Sequence, residues 1–211
     1  VFFMTFCALS SAKGMDIKMK IKNNVQIAVL AVIGFILAQA IAMVVAMAGT
    51  LSLYVGGGVS AIVVAPCFAI MATRIQKKGA AFLFWLIYGV LYALMGAWIM
   101  IPITIISGIL SEIIAGDYSS NKRISYSFAV GMFLVALHPI IFFVILGPDL
   151  IAKFMSYFTL EELRASAAMY TGKVIGSCVV INIVLSIASS KFGNYISNKF
   201  FNKNKGKGKL V

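Results

Sequence analysis

Six apolar stretches, each close to the length of a membrane-crossing helix, lie at roughly residues 25–48, 54–73, 79–97, 98–116, 125–147 and 172–192. A helix needs about 20 apolar residues to cross the hydrocarbon of a bilayer. The third and fourth stretches nearly merge. Small residues and a proline between Gly96 and Pro102 turn the chain there; one broken helix, or five spans, are the alternatives. Six spans leave both termini on one side. The pattern changes before the last stretch, where "TLEELRASAAMY" pairs Thr159 with Glu162 as a capping box. A short helix therefore starts there, with Leu160, Leu163, Ala167 and Tyr170 on one face. Two roles stay open for it: a lid above the bundle, or a helix resting on the membrane surface.

Composition fixes the class. Hydrophobic residues make up 62% of the chain, charged residues 11%, and mean hydropathy is +1.01. A soluble domain cannot hide so much apolar surface, so the expected fold is an all-α bundle of six transmembrane helices. The net charge of +12 is a topology signal and does not point to nucleic acid. On the six-span reading, 15 of the 18 Lys and Arg residues fall on one side, and only Lys153, Arg164 and Lys173 on the other. Basic loops stay in the cytoplasm, so both termini are expected inside and the short helix outside the cell. Residues 1–18 read as an upstream extension, with translation expected to start at Met15 or Met19. Residues 19–200 form the membrane domain, and 201–211 a basic tail that touches anionic lipid.

Little in the chain could do chemistry. There is no HExxH, GxSxG or P-loop pattern, and His138 is the one histidine. Cys7, Cys67 and Cys178 are far apart and fit neither a disulfide framework nor a zinc site. They read as small buried apolar residues. Glu112 is the one acidic residue within an expected span. No enzyme, cofactor or metal site is expected, and an ion-coupled carrier normally buries more ionisable groups than this.

Polar residues inside spans need a reason. At 1.5 Å per residue, Gln39 and Asn182 lie near mid-membrane, and His138 just outside it, followed by Pro139. Ser177, Trp98, Thr104, Tyr92 and Tyr54 lie farther out. A mostly apolar, outward-open pocket with a few placed polar groups fits this distribution. Ordinary helix–helix hydrogen bonding and interfacial aromatic belts fit it too. In "GFILAQAIAMVVA", Gly34, Ala38, Ala42 and Ala46 recur every fourth residue, and Ala31 extends the ladder toward the cytoplasm. Such a ladder lets another helix approach closely, either within the bundle or from a foreign subunit. Gln39, Met43 and Met47 run beside it, a polarisable stripe suited to lining a pocket.

Four stretches together resemble the substrate-binding S components of energy-coupling factor (ECF) transporters, and more narrowly the group called MptD or Trep_Strep. They are the ladder, "VVAPCFAIMATRIQKKGAAFLFWLIYGVLYALMGAW" at 63–98, "ISGILSEIIAGDYSSNKRISYSFAV" at 106–130, and the helical stretch before the last span. The resemblance covers roughly residues 20 to 200. The chain departs from it at "MGAWIM", where a more polar turn, often with a histidine, is expected. The resemblance implies a subunit in the cell membrane that captures a vitamin-like or other micronutrient outside. It would dock on a transmembrane coupling protein carrying two ATP-binding subunits, then topple to release its cargo inside. On that reading the Ala31, Gly34, Ala38 and Ala42 face meets the coupling protein. Gln39, Met43, Tyr54, Tyr92, Trp98, Thr104, His138, Ser177 and Asn182 meet the substrate. The alternatives are a stand-alone carrier and a structural or assembly membrane protein.

Overall fold

The computed structural model describes the backbone of residues 2–154 and 159–201, and side chains over 21–154 and 159–200 apart from residues 50, 53 and 56. The described residues are helical, with no strand among them. Helices α1 (Phe2–Ala46), α2 (Ser52–Ile75), α3 (Ala80–Leu94), α4 (Met100–Ala115) and α5 (Asn121–Ala136) come first. A single turn, α6 (His138–Ile140), then runs into a π-helical stretch, Ile141–Leu146. After it come α7 (Pro148–Phe154), α8 (Leu160–Ala168) and α9 (Gly172–Ile196). No backbone break marks the boundary expected near residue 18, because α1 is continuous from Phe2. Residues 202–211 of the expected basic tail lie outside the described residues.

Four of the expected spans are long, apolar helices: Ile21–Ala46, Gly57–Ile75, Asn121–Leu146 and Gly172–Phe200. The third and fourth are shorter than expected. α3 and α4 have 15 and 16 residues, about 22–24 Å at 1.5 Å per residue, against roughly 30 Å of hydrocarbon. The turn between them takes up the difference. Gly96 adopts φ +88°, the Gly96 N–H donates to the Ala93 carbonyl and the Ala97 N–H to the Tyr92 carbonyl, both at 2.9 Å. This 5→2 and 6→1 pair is a Schellman ending, which favours glycine at that position. The α3–α4 hairpin therefore stops well short of α2, which has 24 residues.

α2 is the central helix, packed on α9, α1 and α5. Its closest approach is to α9, where a Cβ at Gly193 would lie 2.5 Å from the Ala65 carbonyl carbon. Small residues permit this contact, and lipid offers helices little other drive to associate. The alanine ladder of α1 is part of the same interior packing. Ala31, Gly34 and Ala38 are buried against the bundle, and a Cβ at Gly34 would meet the Tyr88 hydroxyl at 3.2 Å and the Cys67 Cβ at 3.4 Å. This corrects their expected place on a surface offered to a coupling protein. The outer face of α1 carries Ile33, Ile36, Leu37 and Met43. Cys67 and Cys178 are buried without forming a disulfide; the side chain of Cys7 lies outside the described ones.

The described basic residues Arg74, Lys77, Lys78, Lys122 and Arg123 gather where α2 and α4 end and α3 and α5 begin. Glu112 works at this end as a helix cap. Its carboxylate accepts from the N–H groups of Gly79 (2.7 Å), Ala81 (3.1 Å) and Phe82 (3.3 Å), and from the Tyr118 hydroxyl (2.6 Å). The start of α3 thus has its orphan donors satisfied by a charge suited to a helix N-terminus. Burial, and then the bond to Glu112, push the Tyr118 hydroxyl far above its ordinary range, so it stays a donor. Midway along the bundle Phe68, Phe84, Trp85, Tyr88 and Phe128 form an aromatic layer. Ring centroids along it are 5.2–6.1 Å apart, in tilted, stacked and edge-on pairs. Phe35 of α1 extends the layer to Tyr92 at 4.9 Å.

Candidate functional site

Above the aromatic layer, on the side away from the basic end, the short hairpin leaves space that the longer helices enclose. Two cavities share it. The inner one, about 240 Å³, lies between α1, α2, α3, α5 and α9. The outer one, about 510 Å³, opens above it beside the α3–α4 turn. Gln39, Ser52, Tyr92, His138 and Pro139 line both cavities and so mark where they join.

Each of these residues is placed by local sequence. Gln39 lies a third of a turn from the packed Ala38 on α1, so it faces the space beside the ladder. Its side chain lies beside the Tyr92 hydroxyl. His138 stands where α5 ends. Pro139 can offer no N–H to continue the ladder, and the helix widens to the π form from Ile141. The His138 Nδ1 lies 2.8 Å from the Val135 carbonyl. A carbonyl only accepts, so Nδ1 carries the proton and the neutral ring presents Nε2 as an acceptor. Its ring packs edge-on to Phe142 at 5.3 Å and lies 6.4 Å from the Tyr92 ring.

The outer cavity is roofed from the other side of the sequence. The capping box of α8 is complete: the Thr159 hydroxyl accepts from the Glu162 N–H, and the Glu162 carboxylate accepts from the Thr159 N–H at 2.8 Å. These bonds hold the Glu162 carboxyl below its ordinary value. Leu163 and Tyr170 are turned inward and buried, and both line the outer cavity, whereas Leu160 is exposed. Tyr170 stacks on Phe143 at 5.6 Å. Burial, with Cys178 nearby as a second cause, pushes its hydroxyl up to about 12, so it is uncharged in any physiological medium. An exposed ion pair, Arg164 Nη2 to Asp149 Oδ1 at 2.8 Å, ties α8 to α7 on the outside.

Four of the residues expected to meet a substrate, Gln39, Tyr92, His138 and Asn182, line the cavities. Asn182 is also a clasp, its Nδ2 donating to the carbonyls of Cys178 (2.8 Å) and Tyr54 (3.2 Å) and so tying α9 to α2. The structure places the remaining expected residues away from the cavities' walls or, for Ala42, on them. The Tyr54 side chain lines neither cavity. Met43 is 66% exposed and Trp98 58% exposed, both pointing away from the bundle. Ser177 is exposed, one position from the buried Cys178. Thr104 is fully buried and donates back to the carbonyls of Met100 and Ile101 within α4, where it packs on Gly89. Ala42, expected on the coupling face, lines the inner cavity.

Sequence reasoning missed Ser52, Met95, Ala97, Met100, Phe142 and Phe143. The signal for the hairpin residues was Gly96. Its positive φ sends Met95 and Ala97 to the cavity side while Trp98 swings out. The signal for the phenylalanines was Pro139, after which the helical period changes. Among the described residues no Asp, Glu, Lys or Arg lines either cavity, and none of them form a cluster of His, Cys, Asp or Glu able to hold a metal. The arrangement can enclose an uncharged molecule in an apolar chamber and orient it with a few hydrogen bonds.

A family model described as "Hypothetical bacterial integral membrane protein (Trep_Strep)" matches residues 21–203. No curated protein and no solved structure matches the chain.

Proposed function

The chain belongs to the Trep_Strep family of hypothetical bacterial integral membrane proteins, and on that premise we propose that it is the substrate-binding component of an energy-coupling factor importer in the cell membrane. One observation carries the proposal. The cavity joined at Gln39, Tyr92 and His138 lies at the end of the bundle opposite the basic loops, under a roof formed by Leu163 and Tyr170 of the α8 segment. With basic loops inside, the cavity faces outward and receives a small molecule there. Among the described side chains of the apolar helices the one carboxylate, Glu112, is engaged as the cap of α3. That leaves it poorly suited to the proton or ion coupling of a stand-alone carrier. Energy then comes from partners: a transmembrane coupling protein and two ATP-binding subunits. Since the ladder is interior, that protein is met by a surface other than Ala31, Gly34 and Ala38.

The test is capture of the tagged chain from native membranes in mild detergent, followed by mass spectrometry. Co-purification of one coupling membrane protein with ABC-type ATPases is expected. Recovery of the chain alone, together with substrate uptake into vesicles holding no other protein, would overturn the proposal.

A further inference from the structure

The junction between the two cavities brings together two polar rings, Tyr92, able to donate a hydrogen bond, and His138, able to accept one. The Tyr92 hydroxyl, beside the Gln39 side chain, carries a proton that it can donate. With its Nδ1–H committed to the Val135 carbonyl at 2.8 Å, His138 offers the lone pair of Nε2. The two rings are 6.4 Å apart and inclined at 45°, and both line both chambers. Around the pair the outer wall is mostly apolar, with Phe142, Phe143 and Leu163, whereas Ser60, Tyr88 and Asn182 give the inner wall polar groups. Among the described residues no charged side chain lines either chamber, so a carboxylate or ammonium group bound there would lose its hydration without gaining a counter-charge.

Building on the reading of this cavity as an importer's substrate site, we infer that its cargo is neutral and binds through a cyclic amide edge, an N–H beside a C=O on an apolar ring. The N–H donates to His138 Nε2, and the C=O accepts from the Tyr92 hydroxyl. The ring body fills the outer chamber beneath Leu163 and Tyr170. A ligand without the N–H leaves Nε2 unpaired in an apolar wall, and built polar sites discriminate strongly against such analogues.

Binding to the full chain in lipid nanodiscs, measured by titration calorimetry against empty nanodiscs, tests this with three bicyclic probes: 2-quinolone, N-methyl-2-quinolone and quinoline-2-carboxylate. Saturable 1:1 binding of 2-quinolone is expected. N-methyl-2-quinolone should bind weaker by about tenfold or more, the worth of one such hydrogen bond, and the carboxylate not measurably. Tyr92→Phe, which keeps the ring, should weaken 2-quinolone by a similar factor. His138→Phe should erase the preference over the N-methyl compound. Equal binding of the N-methyl compound, preference for the carboxylate, or no binding of 2-quinolone would each overturn the amide-edge assignment. Recovery of the coupling protein and ATPases is independent of all three results, so the importer reading fails or stands separately.

Discussion

Replacing Glu112 separates a structural carboxylate from a functional one. Glu112→Ala deprives three α3 N–H groups and the Tyr118 hydroxyl of their shared acceptor. Loss of a helix N-cap acceptor costs about 1 kcal/mol. The bond from buried Tyr118 to a charged acceptor adds about 2 kcal/mol. Water reaches part of this end, so the total is about 3 kcal/mol or somewhat less. In a chain of this size each kcal/mol lowers the melting temperature by roughly 2–4 °C, giving a drop of roughly 6–12 °C. Thermal unfolding in nanodiscs, followed by intrinsic fluorescence, measures it. Glu112→Gln keeps a carbonyl acceptor and should lose about half as much. Ligand binding at the far end should be unchanged in both. An unshifted melting temperature combined with lost uptake would refute the capping role and make Glu112 an ionisable working group.

Three further outcomes follow from the same geometry. Gly193→Ala puts a Cβ 2.5–2.6 Å from the Ala65 carbonyl group, which backbone cannot relieve cheaply; a loss of about 1–3 kcal/mol is expected in the same unfolding assay. Ala38→Trp, on the sequence reading a change that blocks docking and spares binding, should instead abolish binding, because Ala38 is buried and lines the inner cavity; calorimetry decides between the two. The depressed Glu162 carboxyl contributes to α8 above its ordinary value of 4.5, and this is lost as pH falls through its lower folded value. The protection of the Glu162 amide against hydrogen exchange, taken relative to its intrinsic rate at each pH, should therefore hold from about pH 8 to 5 and fall only in more acid medium, whereas Thr159→Ala should lower it throughout.

The depth of a residue in the bundle was legible from counting along each helix, but its direction around the helix axis often was not. Gln39, Tyr92 and His138 are near the level expected of them, and each lines the joined cavities. Met43 shares a face with Gln39 by spacing, yet it is exposed, because near the end of α1 the shortened hairpin offers nothing for it to pack against. Trp98 follows Gly96, whose left-handed backbone reverses the chain in a way no periodicity encodes. Thr104 lay within the outer half by count, but its hydroxyl bonds back into its own helix, an option that polar spacing alone does not exclude. The ladder was readable as a close-packing surface; which helix it packs against depended on a contact with Tyr88 and Cys67 that is distant in sequence.

The aromatic layer beneath the cavities also fixes what this protein does when idle. Trp85, Phe84, Tyr88 and Phe128 are buried, with their rings in mutual contact across the bundle, and dry ring-to-ring packing leaves no file of water for a proton or ion to follow. Membranes holding the chain by itself are therefore expected to keep their electrical and proton gradients. Among the described residues the aromatic layer floors the chamber, so a molecule inside it has the same doorway for entry and departure. On the importer function proposed above, delivery to the opposite compartment is set by which compartment that doorway faces, one molecule at a time, and flux cannot exceed the rate at which the doorway changes sides.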